Sequence, residues 1–124
     1  MKIYLGGPIN GCSDAEATDW RETAKLYFPQ SVDPMVRDYR GREHHDYREI
    51  VDLDKRDIRG SDALLVRYER PSVGTSMEIF YAWTLGIPVV VWTDAATSIS
   101  PWMRYHSTSI VLTLPEAIEK LRQL

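Results

Sequence analysis

Pro71-Ser72-Val73-Gly74-Thr75-Ser76-Met77-Glu78-Ile79 follows the apolar run Ala63-Leu64-Leu65-Val66 after a short polar break and opens an amphipathic segment reaching Leu85. That order predicts a strand, a small-residue loop and a helix. In open α/β sheets ligands lie at the carboxyl ends of the strands, where such loops sit. The layout puts the carboxyl group of Glu78 in the first helical turn beside a loop that a ligand can approach closely. The positive end of the helix favours an ionised carboxylate there, and such a carboxylate can act as a nucleophile. The same spacing, Thr75-x-x-Glu78, is also a capping box that would satisfy backbone donors and nothing more. At this level both readings stand.

Working outward, short apolar runs alternate with helical patterns along the whole chain. Strands are expected near residues 2–5, 31–34, 63–67, 88–92 and 110–112. Helices are expected near residues 14–27, 47–59, 75–85 and 115–124. The last helix opens with Thr113-Leu114-Pro115-Glu116, a capping-box spacing with proline in the first turn. Such βαβα alternation predicts a single α/β domain over residues 1–124, built as a flavodoxin-like, Rossmann-like three-layer sandwich. Its five-stranded parallel sheet would have the order 2-1-3-4-5. Residues 36–46, rich in charge and carrying Gly41, His44 and His45, read as a surface loop near the strand ends, with the character of a lid.

The chain has 124 residues, 44% of them apolar and 27% charged, which suits one globular domain with a sizeable core. A formal net charge of −3 provides no footprint for nucleic acid or an anionic membrane. Cys12 is the single cysteine, so no intrachain disulfide forms. No Cys/His pattern suggests a metal site, and His44, His45 and His106 lack metal or triad spacing. No apolar run approaches the roughly 20 residues that span a bilayer. The strand-like start, Lys2-Ile3-Tyr4-Leu5, reads as mature protein rather than a signal peptide, so a cytoplasmic location is expected.

Further residues carry possible chemistry. The loop Gly6-Gly7-Pro8-Ile9-Asn10-Gly11 lies between the first strand and the first helix, where backbone amides can approach a phosphate or a sugar. It matches neither the dinucleotide fingerprint nor a P-loop, and a plain glycine-rich turn explains it equally. Asp54 lies four residues after Ile50 and four before Ile58, on the inward face of its helix. A carboxylate on a buried stripe must be paired or used. Asp62 opens the third expected strand, where turn chemistry accounts for it. Tyr4 lies where its hydroxyl could reach the strand-end cleft. Trp83, Trp92 and Trp102 read as core or interface anchors, and the aromatic-rich residues 98–106 as an excursion that packs a dimer or closes a partner's site.

Taken together, Ile3-Tyr4-Leu5-Gly6-Gly7-Pro8, the block from Asp54 to Asp62, and Ser72-Val73-Gly74-Thr75-Ser76-Met77-Glu78 resemble the nucleoside 2-deoxyribosyltransferase superfamily, closest to its 2′-deoxynucleoside 5′-phosphate N-hydrolase branch. The resemblance implies that Glu78 is the nucleophile attacking C1′ of the deoxyribose, with Tyr4 against it. It implies that Asp54 protonates or holds the departing base. Residues 6–11 and Gly74 would line the substrate, with Asp62 in a less defined role. Six residues before the nucleophile, the transferases tend to carry an aspartate for a free 5′-hydroxyl. Ser72 stands here, as in the nucleotide hydrolases, and a serine accepts a phosphate that a carboxylate would repel. Ser100 resembles a serine that those hydrolases lend across a dimer to the phosphate. The arginine often present in their first loop is replaced by Asn10. The implied activity is cleavage of the base–deoxyribose bond of 2′-deoxynucleoside 5′-monophosphates, without metal or organic cofactor, by a homodimer or larger homo-oligomer. The alternatives are base exchange between deoxynucleosides and a non-catalytic nucleotide sensor.

Overall fold

The structure, a computed structural model, describes residues 1–95 and 97–124. Four parallel strands lie side by side in chain order: β1 (Ile3–Gly6), β2 (Ala63–Tyr68), β3 (Val89–Thr93) and β4 (Ser109–Val111). The pairing is continuous, with Leu5 opposite Leu65 and Leu65 opposite Val90. Helices α1 (Asp14–Tyr27) and α2 (Tyr47–Arg59) follow β1, α3 (Val73–Thr84) follows β2, α4 (Pro101–His106) follows β3, and α5 (Leu114–Arg122) follows β4.

The three-layer α/β architecture is as expected, but the sheet is not. The run at 31–34 forms no strand. Val32 makes a single parallel bridge to Tyr4, and the chain then turns into a 3₁₀ turn at Pro34–Val36. The physical reason is local: Pro34 has no N–H to offer a ladder, and the Asp33 carboxylate accepts from the Met35 amide and caps the turn. The sheet therefore has four strands in the order 1-2-3-4 rather than five.

Both faces of the sheet are covered, which is why the strands read as unbroken apolar runs. Successive side chains alternate between faces. Ile3, Leu5, Leu65 and Val90 pack under α1 and α5, against Trp20, Ala24, Ile118 and Leu121. Tyr4, Leu64, Val66 and Val91 pack under α2, α3 and α4, against Ile58, Ile79 and Met103. Helix α1 starts with a full capping box between Ser13 and Glu16, and α5 is capped by Thr113 as its sequence predicts. Helix α3 begins two residues before the expected position, because the Ser72 hydroxyl accepts from the Thr75 amide at 3.3 Å and so takes the N-cap that Thr75 would have held. Residues 101–106, within the excursion expected over residues 98–106, form the short helix α4, capped by Ser100 and started by Pro101.

One buried cation ties the end of β1 to its surroundings. Arg21, on the buried stripe of α1, is fully enclosed. Its guanidinium donates to the carbonyls of Leu5 and Gly7, both at 3.2 Å, and to that of Ala17 one turn back. Its Nε lies 3.7 Å from the buried Asp33 carboxylate, which Lys25 also holds at 2.7 Å. Replacing Arg21 by Met keeps the bulk but leaves these carbonyls and Asp33 short of partners. The expected cost is about 3 kcal/mol, read as a lower urea midpoint at unchanged slope.

Candidate active site

The carboxyl ends of β1 and β2 open into a cleft of about 540 Å³. Its wall on one side is the loop after β1, where Gly7, Pro8, Ile9 and Asn10 face the cavity. Gly7 has φ +156°, and a Cβ there would sit 2.8 Å from the Arg67 carbonyl oxygen, so only glycine lets this loop lie against β2. The opposite wall is α2, with Tyr47, Ile50, Val51 and Asp54, joined by Arg37, Tyr39 and Arg40 from the preceding segment. The first turn of α3 closes one end through Ser72, Val73, Gly74 and Thr75, and Arg70 stands just before it. A Cβ on Gly74 would meet nothing within 4 Å, so the helix start presents open backbone to the cavity.

Three of the expected site residues converge here from three different elements. Tyr4 projects from the middle of β1 towards the α2–α3 side and is buried. Its hydroxyl donates to Glu78 Oε2 of α3. Asp54 of α2 lines the same cavity. The capping-box reading of Glu78 falls away: with Ser72 as N-cap, Glu78 lies in the second turn and bonds Tyr4 instead of its own helix start.

The electrostatics also depart from the expectation that the helix end keeps Glu78 ionised. Burial, followed by the charge of Asp54, pushes the Glu78 carboxyl up to about 8, against smaller opposing effects of the Tyr4 hydrogen bond and Arg21. Burial likewise raises Asp54 to about 6, although Arg37 at 3.6 Å favours its ionised form. Tyr4 is raised well above its ordinary value by burial and by Glu78. The two carboxyl groups thus retain one proton between them through neutral pH. One ionised and one protonated carboxyl in a single cleft is the arrangement that nucleophilic displacement with acid assistance requires.

Other expected contacts are not in the cleft. Asp62 lies at the opposite end of β2, where its carboxylate accepts from the Lys2 amide at 2.7 Å. This placement makes it a structural turn residue rather than a substrate ligand. Ser100 caps α4 and borders a separate hollow of about 240 Å³ between α3 and α4. Gly6 is the last residue of β1, beside the Tyr4 ring, and Gly11 takes the positive φ of +77° where the loop turns towards α1. Neither lines the cavity, whereas Ser72, Gly74 and the stretch from Gly7 to Asn10 do. Among the described residues, no three His, Cys, Asp or Glu side chains cluster to hold a metal ion, and no helix is long and apolar enough to cross a membrane.

Arg37 and Arg70 were not singled out individually from the sequence. Arg70 donates to the Asn10 carbonyl at 3.2 Å and to the Cys12 sulfur at 2.9 Å, and lies 3.9 Å from Glu16. Its position next to Pro71-Ser72, in the loop that decides the fold, was the available signal.

The family model for nucleoside 2-deoxyribosyltransferase matches residues 3–114. The chain belongs to this family. It is an enzyme of N-glycosyl bond chemistry, transferase or hydrolase. Solved structures share its fold at low identity. A conserved protein from Enterococcus faecalis V583 superposes with a TM-score of 0.77 at 17% identity, over 98% of this chain and 97% of its own. A 2-deoxyribosyltransferase from the psychrotolerant bacterium Bacillus psychrosaccharolyticus gives 0.77 at 15% identity, over 95% and 90%. A CMP N-glycosidase from Clostridium botulinum gives 0.65 at 17% identity, over 98% and 99%. Comparison with curated protein sequences gives no significant match.

The raised Glu78 carboxyl has a consequence for stability. Its folded value, about 8, lies above the ordinary 4.5, so between these values the folded state holds a proton that the unfolded state has lost. Stability from this group is full below about pH 4.5 and is lost as pH rises through about 8. Glu78→Gln should therefore melt on the order of a few degrees above the wild type at pH 9, and level with it near pH 4.5, in paired thermal scans.

Proposed function

We propose that this family member is a retaining N-glycosidase acting on 2′-deoxynucleoside 5′-monophosphates. The observation that carries the reading is the Tyr4–Glu78 hydrogen bond beside Asp54 at the floor of one cleft. The shared proton rests mainly on Glu78; in the minor tautomer that places it on Asp54 and leaves Glu78 ionised, a Glu78 oxygen forms a bond to C1′ as the C1′–N bond breaks. The electron pair leaves with the base, which receives the Asp54 proton. Water then attacks C1′ of the glycosyl ester, Asp54 takes its proton, and Glu78 is released as carboxylate. The products are free base and 2-deoxyribose 5-phosphate. Two displacements at one carbon retain its configuration. Tyr4 orients the nucleophile and, by donating to it, favours its ionised form.

The 5′ end favours phosphate over a free hydroxyl. The Ser72 oxygen accepts from its own helix, and among the described residues its proton has no protein acceptor. The first amides of α3 have no intrahelical partner and favour an anion. Arg70, held by the Asn10 carbonyl, supplies the cation that the first loop lacks. Base exchange differs only in what intercepts the ester, so the same assay detects it.

A second copy fits the exposed aromatic face. Val73, Met77 and Phe80 form an exposed i, i+4, i+7 stripe on α3, continued by Trp83 and by Trp102 and Tyr105 of α4, which are 73% and 71% exposed. Phe80, Trp83, Trp102 and Tyr105 surround the His106 ring. Such an apolar stripe is self-complementary across a twofold axis and carries no acidic side chain to repel its mate. Ser100 borders it. Phe80→Glu with Trp102→Glu should convert a dimer into a monomer in sedimentation equilibrium; a monomeric wild type would overturn the assignment.

Incubating the protein with each deoxynucleoside and its 5′-monophosphate, with and without a second free base, tests the activity. Base release from the monophosphates is expected, with kcat/KM bell-shaped between limbs near pH 6 and 8 that belong to the carboxyl pair. Glu78→Ala should lose at least about 10³-fold in kcat while keeping the fold. Tyr4→Phe should lose about 10–100-fold and move the alkaline limb upward. Exchange on unphosphorylated nucleosides would make the protein a transferase, and binding without base release a sensor.

A further inference from the structure

Tyr4 and Glu78 act at the sugar, Asp54 moves a proton, and Ser72 with Arg70 faces the 5′ end. None of these tells one base from another. The base must lie on the Asp54 side of the cleft, since Asp54 hands it a proton. There the wall is Tyr47, Ile50 and Val51 of α2, with the guanidinium of Arg37 beside them. Arg37 Nη2 is anchored by Asp57 at 2.6 Å and lies 3.6 Å from Asp54. Nε is buried without any hydrogen-bond partner, and Nη1 has no acceptor among the described residues. The cation is thus fixed at one corner and lines the cavity; Nε is enclosed, so Nη1 is the donor left for a ligand.

A guanidinium has donors only, so a ligand that completes it must bring an acceptor. A pyrimidine bears a carbonyl oxygen, O2, next to its glycosidic nitrogen. When the C1′–N1 bond breaks with its electron pair going to the ring, negative charge spreads onto that oxygen. A purine presents no oxygen beside its glycosidic nitrogen. The apolar side chains of Ile50 and Val51 suit the flat face of such a ring, and Tyr47 offers it a stacking partner. We propose that Arg37 is the leaving-base contact of this site and that it selects pyrimidine nucleotides, by donating to the O2 oxygen as charge develops there. The assignment rests on the glycosidase reading.

Base release from the 2′-deoxynucleoside 5′-monophosphates of cytosine, uracil, thymine, adenine and guanine tests it, in wild type, Arg37→Met and Arg37→Lys. In the wild type, pyrimidine kcat/KM should exceed purine by about tenfold or more. Arg37→Met should reduce the pyrimidine-to-purine ratio by about 10–100-fold, the range for a hydrogen bond to a charged group, and Arg37→Lys should restore part of it. A 2-deoxyribose 5-phosphate carrying 4-nitrophenolate at C1′ has a leaving group that needs no donor. The ratio of cytosine release to nitrophenolate release should fall by the same factor in Arg37→Met. Purine preference in the wild type, or an equal loss on every substrate including the aryl one, would overturn the assignment; the latter would make Arg37 a brace for Asp57. Calorimetric binding of the cytosine and adenine nucleotides to wild type and Arg37→Met separates the two readings. If no substrate turns over, the glycosidase reading fails, and loss of cytosine selectivity in binding still decides for or against Arg37.

Discussion

A single fully buried cation, Arg21, sets the geometry on which the cleft depends. The chain leaves β1 at the carboxyl end of the sheet, where carbonyls lose their ladder partners and face a low-dielectric interior. Arg21 supplies N–H groups to Leu5 and Gly7 at that point, and its charge is matched by Asp33. This fixes three things together: the end of the strand that carries Tyr4, the path of the loop that walls the cavity, and the start of the segment that delivers Arg37. The same charge lies close enough to favour the ionised form of Glu78. A hydrocarbon of equal size could fill the space but could not satisfy the carbonyls.

The site itself works against the stability of the fold. Glu78 and Asp54 are both drawn from water, and each makes ionisation of the other harder. Arg37 alone would favour the ionised form of Asp54; burial outweighs that pairing and holds its proton to about pH 6. The result is a proton shared by two groups with different neighbours: one bonded by a tyrosine hydroxyl, the other beside an arginine. That asymmetry gives two carboxyl groups in one cleft different affinities for the proton they share.

Much of the α/β pattern was legible in the chain because periodicity is a local property. Helices at residues 14–27 and 47–59 fall at the bounds expected from the sequence. The misjudged elements have local causes of finer grain. Pro34 with its Asp33 cap stops a fifth strand, Ser72 takes the N-cap of α3 from Thr75, and Ser100 caps a helix α4 that was not expected. Arg21 stood in view at four residues from Ala17 and three from Ala24, on an otherwise apolar face, the same kind of signal that marked Asp54.

The amino-acid sequence by itself determined the parallel α/β class, the strand–loop–helix unit carrying Glu78, and the family, since these rest on spacing along the chain. Tertiary structure alone decided what those residues do to one another. It joined Tyr4 to Glu78 across 74 positions, set Asp54 beside Arg37, and carried Asp62 to the far end of the sheet. It also reversed the charge state expected of Glu78. Proximity to a helix end can be read along the chain, but desolvation depends on which other elements close over the carboxyl, and that is settled only when the layers pack.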